Sequence, residues 1–491
     1  MASGYTPGPY DDVRSYLEAL EATGNLLRIK EMDADAFETT AFTYALLEKY
    51  GKGKAPAFLV ERVKIDGEWV EGPLVGNMYG PWASEALSFG VEDVTDDHEE
   101  MFRRAIDIVS QKMGRGIPKI EAVEVPREQA PVKEQVLTGD EIDLTKYAFI
   151  QTNPADAGRY ITTASVFLHD ESLGKNVGTY RLQIKGPRQI GVNPEPGQDG
   201  WRILMAKKQR GEKVAKCSIV LGQDPILFGT SAGKLGGPFA EETAIAGGLR
   251  GKPVEVVRSE TNDHLVPAHA EMVIEGEIPL DDMLPEGPFG ELYGYLGQAK
   301  ERNFYLNVTT VTQRPKPIIA NAYTGITRGS VTAPIEASYL VRFRMVIPNL
   351  VQLHTSVQSL GVYYMSIKKT KPGQGLAAGH MFAAGYLPAK VVIVLDEDID
   401  VYNTDAVIAA IGSRWQPHPG TTIVPQIEGF FLDPSVPTRG MTSKVVIDAT
   451  RQLPAEGGPA EWPAANRQLL VDGAPESFDL VRSRWDEYFQ K

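Results

Sequence analysis

The chain has 491 residues, a length that favours two or three domains over a single hydrophobic core. Its formal net charge of -14 argues against nucleic-acid binding through a basic surface, and 42% hydrophobic with 23% charged residues is ordinary for a globular protein. One cysteine excludes an intrachain disulfide, and neither a secretory signal nor an apolar stretch of membrane-spanning length is visible, so we expect a cytoplasmic protein that does not enter a membrane.

Residues 1–120 are predicted to form an N-terminal α/β domain. Residues 11–23 place apolar side chains at helical spacing and end at Gly24, which is a common helix stop. Two more helices are predicted over 36–50 and from Thr95 to about Gly114, and the apolar residues between them predict strands.

Residues 121–314 are predicted to form a central, mostly antiparallel β domain, either a sandwich or a barrel. Short runs rich in Val, Ile and Thr alternate there with Gly, Pro and Asn, at 123–125, 161–168, 179–184, 217–221, 254–257, 272–275 and 306–311. Helical insertions are expected at 201–208 and 241–249. Cys217 lies in a strand-like run and is expected to be a buried structural thiol.

Residues 315–491 are predicted to form a C-terminal α/β domain. Helices over 335–346 and 405–411 flank an apolar strand at 390–395, and residues 373–379 are small and expected to be flexible. An amphipathic helix near 478–489 predicts either a subunit contact, which would make a homodimer or a higher homo-oligomer, or packing against its own core.

The most informative motif is a pair of glutamates, Glu286 and Glu291, separated by Gly-Pro-Phe-Gly. A turn this rigid holds two carboxylates in a set relation. Their surroundings can then raise the pKa of one, so that it carries a proton, while the other stays ionised against a cation. The spacing alone would favour two solvated loop glutamates, and it is the turn chemistry together with the strand-rich segment before it that shifts the balance toward a site.

Other candidate ligands lie upstream of this motif. Asn176 and Arg181 bracket Gly178, and they suit a hard cation and a carboxylate, although an exposed strand with a surface arginine is slightly favoured. Glu242 begins a predicted helix, where an acid also favours the helix dipole. Hydroxyl and carbonyl groups at 229–232 are of the kind that hard cations accept.

Other sequence patterns are weaker. Lys368 and Arg414 are candidate phosphate contacts, with solvated surface positions as the default for each. No histidine pair has metal-site spacing, and no glycine-rich nucleotide loop is present, which argues against ordinary dinucleotide and nucleoside-triphosphate folds.

Taken in order, these motifs resemble the UbiD family of prenylated-flavin-dependent decarboxylases over most of the chain. The resemblance is carried by four segments, at 176–181, 260–267, 286–291 and 443–450. It implies a multidomain α+β and α/β fold, in which a central β-rich split-barrel flavin-binding domain is flanked by N-terminal and C-terminal α/β regions.

The resemblance also implies a set of functional residues. Its catalytic set comprises Arg181, Glu286 and Glu291. Its prenylated FMN contacts comprise Asn176, Gly178, Thr179, Tyr180, Arg181, Thr230, Ser231, Glu242 and Lys368. Its ion sites comprise Mn²⁺ or Mg²⁺ on Asn176 and Glu242, K⁺ beside Thr230 and Ser231, and Arg414 as an ion-site neighbour.

One departure from the family concerns the third metal ligand. Family members often place a histidine ligand shortly after the arginine, and residues 191–200 contain no histidine. Glu195, Gln198 or water could take its place, and the sequence leaves this choice open.

The implied activity is the reversible, non-oxidative decarboxylation of an aromatic, heteroaromatic or α,β-unsaturated carboxylic acid, releasing CO₂. Prenylated FMN, supplied by a flavin prenyltransferase, provides an electron sink that no amino-acid side chain offers. Arg181 would orient the substrate carboxylate, Glu291 would deliver the proton that replaces CO₂, and Glu286 would keep the network aligned.

The substrate pocket is also implied by the resemblance. Leu292, Phe430 and Leu432 would form an apolar wall for a flat ring. Arg328 could meet a second polar group of a heteroaromatic acid, although a surface arginine is the favoured alternative. An aromatic or heteroaromatic acid is favoured over a cinnamic or ferulic-type acrylic acid.

Two other classes of protein remain as alternatives. A non-catalytic flavin-binding protein would have no reason to keep Arg181 together with both glutamates. A metal-dependent decarboxylase without flavin would be expected to show clustered His and Asp ligands, which this sequence lacks.

Overall fold

A computed structural model describes residues 4–114, 116–356, 358–386, 388–436 and 438–489. Its N-terminal elements are α1 (Val13–Ala22), β1 (Leu26–Asp33), α2 (Glu38–Tyr50), β2 (Ala57–Ile65), β3 (Glu68–Gly76), α3 (Ala83–Ser88) and α4 (His98–Met113). Helix α1 begins at Asp12, whose carboxylate accepts from Ser15 N, and it buries Val13, Tyr16 and Leu20. The three helices predicted for this region are therefore present.

The central elements follow from residue 123. They are β4 (Val123–Glu124), β5 (Gln135–Thr138), β6 (Tyr160–Ile161), β7 (Ala164–Asp170), β8 (Gly174–Gly178), β9 (Leu182–Gly186), β10 (Gln189–Val192), α5 (Asp199–Gln209), β11 (Val214–Leu221), α6 (Pro225–Ala232), α7 (Glu242–Arg250), β12 (Glu255–Arg258), β13 (Leu265–Pro267), β14 (Met272–Pro279), β15 (Leu284–Glu286), β16 (Lys300–Asn303) and β17 (Tyr305–Gln313). Helices α5 and α7 match the predicted insertions, and Cys217 is buried in β11 as expected.

The large central sheet is antiparallel throughout. Its strand order is β6-β9-β10-β17-β14-β11-β7-β8, with β5 added on β17. The two ends of this order do not pair with each other among the described residues, so the sheet is an open half-barrel instead of a closed one. Buried side chains of this sheet share one core with those of the N-terminal sheet.

The C-terminal elements begin with a strand that returns to the first sheet. They are β18 (Ile319–Asn321), α8 (Ala333–Arg344), β19 (Leu350–Thr355), β20 (Val362–Ile367), α9 (Gln374–Gly385), β21 (Val391–Asp396), α10 (Thr404–Arg414), β22 (Thr421–Glu428), β23 (Met441–Asp448), α11 (Asn466–Gly473) and α12 (Ser477–Ser483). Strand β18 pairs in parallel with β3, so the first sheet has the order β1-β2-β3-β18.

The C-terminal sheet has the order β19-β20-β21-β23-β22, and its three middle strands run parallel. Helix α9 packs on β21 and β23, so most of the segment predicted to be flexible is helical. Helix α4 packs on α8 and joins the first and last thirds of the chain. Strand β18 lies after residue 314 and yet completes the N-terminal sheet, so the sheets do not divide at the predicted boundary. The predicted domain boundaries therefore stay predictions.

The C-terminal segment leaves its apolar side chains exposed. Leu469, Leu470, Leu480 and Val481 are all exposed, and Leu480 is 55% exposed. The predicted alternative, in which this segment packs on its own core, is therefore wrong for these side chains. Among the described residues, no helix combines the length and the apolar character that a bilayer crossing requires.

Candidate active site

Arg181 lies where the chain leaves β8 and has not yet entered β9. The sequence predicted a continuous strand over 179–184, but β9 begins only at Leu182. Thr179 N donates to the carbonyl of Ser231 (3.1 Å), and the two hydroxyls are 3.1 Å apart. The last turn of α6 thus holds residues 179–181 away from the hydrogen bonding of the central sheet, and Arg181 lines a cavity.

Arg181 contacts both predicted catalytic glutamates. Its Nε donates to Glu286 Oε1 (3.0 Å), and its Nη2 donates to Glu286 Oε2 (2.6 Å). The other terminal nitrogen, Nη1, donates to Glu291 Oε1. Glu286 ends β15 and is buried, whereas Glu291 keeps a partly exposed edge. The structure therefore brings together three residues that are up to 110 positions apart in sequence.

The turn between the glutamates is shaped by glycine and by Asp156. Gly287 has a φ of 76°, a region that favours glycine, and an added Cβ would lie 3.4 Å from Arg181 Nη2. Gly290 N donates to Asp156 Oδ1 (2.9 Å), which ties the turn to the loop that precedes β6. These contacts fix the backbone from which Glu291 projects.

Sequence reasoning missed two residues that support the glutamates. Tyr160 in β6 donates to Glu286 Oε1 (3.3 Å), and its ring lies 4.5 Å from that of Phe289. The Phe289 ring in turn lies 5.5 Å from the Arg181 guanidinium carbon. Tyr160 and Asp156 precede the turn by more than a hundred residues, and no local pattern marks either of them.

The electrostatics separate the roles of the charged groups. Burial raises the pKa of Glu291 above its usual range, although the nearby Arg181 charge opposes that shift. Burial alone would lower the pKa of Arg181, but hydrogen bonding to Glu286 raises it, so the guanidinium stays charged. The site therefore combines a fixed cation with a carboxyl group that is biased toward carrying a proton.

Arg181, Phe289 and Glu291 line a cavity of about 740 Å³, a size that suits a bound cofactor or substrate, and Glu286 lies buried behind Arg181. Leu292, Phe430 and Leu432, the residues predicted for a substrate pocket, also line this cavity. Phe289 and Tyr293 add further apolar lining. The cavity is bounded by residues from all three parts of the chain.

Arg328 also lines this cavity, but its guanidinium is already engaged. Its Nη1 donates to the buried Glu85 (2.9 Å), and its Nη2 donates to the carbonyl of Tyr79 (2.9 Å). The prediction of a surface arginine is wrong, because Glu85 draws the side chain into the interior. Both terminal nitrogens of Arg328 are therefore bonded within the protein, which does not favour the predicted contact with a second polar group of the substrate.

Asn176 lies in β8, and Glu242 is hydrogen-bonded to the backbone of the same strand. Glu242 begins α7, and its Oε2 accepts from Val177 N (3.0 Å). Asn176 Oδ1 accepts from the Tyr180 hydroxyl (2.9 Å). Burial raises the pKa of Glu242 to about 7. Asn176 and Arg181 are both largely buried, so the alternative of an exposed strand with a surface arginine is wrong.

The two protein groups predicted as a third metal ligand are engaged elsewhere. Glu195 accepts from Lys300 (2.6 Å) and from Arg439 (2.6 Å). Gln198 Oε1 accepts from the backbone N of Glu195 (2.7 Å). Among the described residues, no group of three His, Cys, Asp or Glu side chains forms a metal cluster.

Lys368 and Arg414 do not lie at the cavity. Lys368 is exposed just after β20, and Arg414 binds Asp396 (2.7 Å) and Asp398 (2.7 Å) at the carboxyl end of β21. The assignment of Lys368 and Arg414 as phosphate or ion-site contacts therefore stays a prediction, and carboxylates of the C-terminal region already neutralise Arg414. Thr230 and Ser231, by contrast, are buried in α6 near Thr179.

Comparison with known proteins places this geometry in a family. Residues 17–104, 123–327 and 330–449 match the N-terminal, Rift-related and C-terminal domains of the UbiD family, described as 3-octaprenyl-4-hydroxybenzoate carboxy-lyase. A phenolic acid decarboxylase of Sedimentibacter hydroxybenzoicus is 29% identical over 92% of this chain and 94% of its own length.

Solved structures agree with this match. Vanillic acid decarboxylase of Sedimentibacter hydroxybenzoicus in open form has a TM-score of 0.83 at 28% identity, covering 97% of this chain and 100% of that one. HmfF of Pelotomaculum thermopropionicum, in an evolved dimeric form with prFMN, has a TM-score of 0.76 at 27% identity, covering 94% and 98%. The resemblance and the mixed α/β multidomain fold inferred from sequence are confirmed, and the chain belongs to the UbiD family of carboxy-lyases.

Proposed function

We propose that the protein decarboxylates an aromatic or heteroaromatic carboxylic acid with prenylated FMN as its cofactor. The observation that carries this proposal is the contact of Arg181 with both Glu286 and Glu291, with Arg181 and Glu291 lining one cavity. A charged guanidinium beside a carboxyl biased toward protonation provides both a carboxylate anchor and a proton donor.

Arg181 has donors left for a substrate. A guanidinium carries five N–H groups, and the bonds to the two glutamates use three of them, which leaves two. Each terminal nitrogen keeps one of these free donors, a pair that suits a carboxylate. The anchor is fixed in advance by Glu286, so little orientational freedom is lost when the acid binds.

Glu291 is the proton donor in this proposal. Loss of CO₂ leaves an electron pair on the ring carbon, and a proton must replace the departed group at that position. The pKa of Glu291 is raised by burial, so a larger fraction of this side chain is protonated at neutral pH than for an exposed glutamate. At high CO₂ the same groups would serve the reverse carboxylation, with Glu291 accepting the proton.

The cavity fits a flavin together with a flat acid. Its volume of about 740 Å³ and its mainly apolar and aromatic lining support this assignment, as does prFMN in the related HmfF structure. Prenylated FMN supplies the electron sink for carbon–carboxylate cleavage. Thr179, Tyr180 and Ser231 are the residues of this chain that we assign to holding it, together with Gly178 and Thr230.

The substrate wall favours a ring over an extended acrylic chain. Leu292, Phe430 and Leu432 present apolar surface, and Tyr293 packs beside Phe430 with 6.3 Å between ring centroids. Flat apolar walls of this kind suit an aromatic or heteroaromatic acid.

Ions, partners and location complete the proposal. Asn176 and Glu242 provide oxygen ligands for Mn²⁺ or Mg²⁺ beside the cofactor phosphate, and we assign K⁺ to the backbone around Thr230 and Ser231. A flavin prenyltransferase would supply the cofactor.

The exposed apolar side chains of the C-terminal helices support a homodimer or a larger assembly. The single buried cysteine supports a cytoplasmic location.

The direct test is a substrate screen on loaded enzyme. The full chain is produced with and without a flavin prenyltransferase, its absorbance spectrum is recorded, and CO₂ release is measured over benzoic, hydroxybenzoic, furoic and cinnamic acids. We expect release only from the flavin-loaded protein, and only from the acids whose carboxyl group is attached directly to the ring, so cinnamic acid should release none. Loaded protein that binds the flavin but releases CO₂ from none of these acids would favour a non-catalytic flavin-binding protein.

A further inference from the structure

A second, small cavity lies next to Glu242, at the beginning of α5. It is lined by Asp199, Thr230 and Glu242, together with the segment 233–237. Its volume of about 20 Å³ is room for a single ion or water. We propose that Asp199, which lies in the stretch where family members often carry a histidine, is the third protein ligand of the metal site.

The Asp199 carboxylate has an oxygen without a hydrogen-bond partner. The residue is only 8% exposed, and Oδ2 accepts from Phe239 N (3.2 Å), whereas Oδ1 accepts no hydrogen bond. Arg202 Nη1 lies 3.6 Å from Oδ1, and Lys234 Nζ lies 3.7 Å from Oδ2. Both cations lie beyond hydrogen-bond distance and are strongly exposed, so a buried carboxylate oxygen is left for another partner.

Tyr180 ties this carboxylate to the predicted ligands. Its hydroxyl donates to Asn176 Oδ1 (2.9 Å) and accepts from Gly200 N (3.2 Å), the residue that follows Asp199. Glu242 is held on the same strand through Val177 N (3.0 Å). One amide and two carboxylates therefore converge, from β8, from the first residue of α5 and from the first residue of α7.

A purely structural role does not account for all of these features. An acid in the first turn of α5 favours the helix dipole, which explains why an aspartate occurs there. It does not explain a buried, unbonded carboxylate oxygen that shares a cavity with a second, half-buried carboxylate, that of Glu242. A bound cation would neutralise both groups and satisfy the free oxygen.

The replacement changes the chemistry of the site. With Asn176, Asp199 and Glu242 every protein ligand is an oxygen, a set that suits hard cations such as Mg²⁺ and Mn²⁺. A histidine nitrogen would instead improve binding of Zn²⁺ relative to Mn²⁺. The inference rests on the proposed function only in assigning the metal to a flavin phosphate.

The test measures metal binding and not turnover. Mn²⁺ is titrated into the purified full chain, with and without FMN, and free Mn²⁺ is followed by electron paramagnetic resonance. We expect Asp199→Asn to weaken Mn²⁺ binding by at least about 10–100-fold, the range seen when partners around a metal are removed. Glu242→Gln should behave likewise. Glu241→Gln is the matched control, because it removes a neighbouring exposed charge and should leave binding unchanged.

Asp199→His provides a second, independent outcome. We expect it to retain Mn²⁺ binding and to raise the affinity for Zn²⁺ relative to Mn²⁺ above that of the natural chain. Mn²⁺ binding by Asp199→Asn equal to that of the natural chain, or a natural chain that binds no Mn²⁺, would overturn the proposal. So would an unchanged Zn²⁺ to Mn²⁺ preference in Asp199→His. If the protein releases no CO₂ but still binds Mn²⁺ in a way that depends on Asp199, the proposed decarboxylase function would be rejected and the metal-site proposal would be supported.

Discussion

Arg181 and Glu286 form a two-point ion pair, with Nε 3.0 Å from Oε1 and Nη2 2.6 Å from Oε2. The Glu286 side chain is fully buried, and that of Arg181 is 9% exposed. Two parallel bonds fix the plane of the guanidinium. The substrate carboxylate therefore meets an anchor whose orientation is set by the protein before binding.

Removing this anchor should destabilise the fold as well as the activity. Arg181→Met leaves the Glu286 carboxylate buried without its cation, and breaking a buried ion pair in this way costs about 3–5 kcal/mol. We expect a loss of that size in the free energy of unfolding, measured by urea titration. Arg181→Lys keeps the charge but cannot span both carboxylate oxygens, so it should fold better and still bind substrate poorly.

An exposed pair provides the control for this prediction. Arg188→Met breaks the contact with the fully exposed Asp140 at 3.5 Å, and surface pairs contribute at most about 1 kcal/mol. Equal stabilities for Arg181→Met and Arg188→Met would contradict a structural role for the buried pair.

The pH dependence should respond to two charges beside Glu291. Burial raises the pKa of Glu291, the Glu195 charge raises it further, and the Lys300 charge lowers it. A proton donor is active below its pKa, so decarboxylation should fall as the pH rises through that value. Glu195→Gln removes a negative charge and frees Lys300, and both effects move this alkaline limb to lower pH.

Lys300→Met should move the same limb in the opposite direction. It removes the positive charge and leaves Glu195 with fewer partners, so the pKa of Glu291 rises and activity persists to higher pH. The measurement is kcat/KM against pH for both variants, with Glu301→Gln on the exposed side of β16 as the control. Shifts in the same direction, or no shift in either variant, would show that Glu291 does not set the limb.

A single methyl group at Gly297 should displace the proton donor. A Cβ at this position would lie 2.6 Å from Glu291 Cγ, so the carboxylate must move. Because a misplacement of about 1 Å can cost roughly 10²-fold in rate, we expect Gly297→Ala to lose activity on that scale with flavin still bound. The measurement is CO₂ release per bound flavin.

Gly186→Ala is the matched control for this change. An added Cβ there meets no atom within 4 Å, so activity should be retained. Wild-type turnover by Gly297→Ala would mean that the position of Glu291 is not critical for the reaction.

Local sequence patterns predicted the helices and strands more accurately than they predicted the tertiary contacts. Helix α1 was predicted from its apolar spacing and glycine stop, because both signals are local. Helix α9 was missed because it is rich in glycine and alanine and lacks an apolar stripe. A Cβ at Gly379 would lie 2.3 Å from Val446 Cγ1, so its small residues serve close packing on the sheet.

The site itself was only partly predictable. The Arg181, Glu286 and Glu291 set was inferred from family resemblance, and the structure brings the three together. Arg328 was placed on the surface because its partner Glu85 lies 243 residues away, and no local signal reveals such a pairing. Glu195 is a candidate metal ligand in the sequence because residues 191–200 contain no histidine. Its pairing with Lys300 and Arg439 depends on the tertiary fold, so no local signal reveals it.

The most direct measurement is the rate of CO₂ release per bound flavin for Glu291→Gln. This variant keeps the size of the side chain and removes the proton that replaces CO₂. We expect unchanged flavin absorbance and a rate lower by about 10²–10⁴-fold, the usual contribution of a positioned proton donor, with Glu301→Gln unaffected. A Glu291→Gln protein that releases CO₂ at the wild-type rate per flavin would contradict the proposal that Arg181, Glu286 and Glu291 form the decarboxylation site.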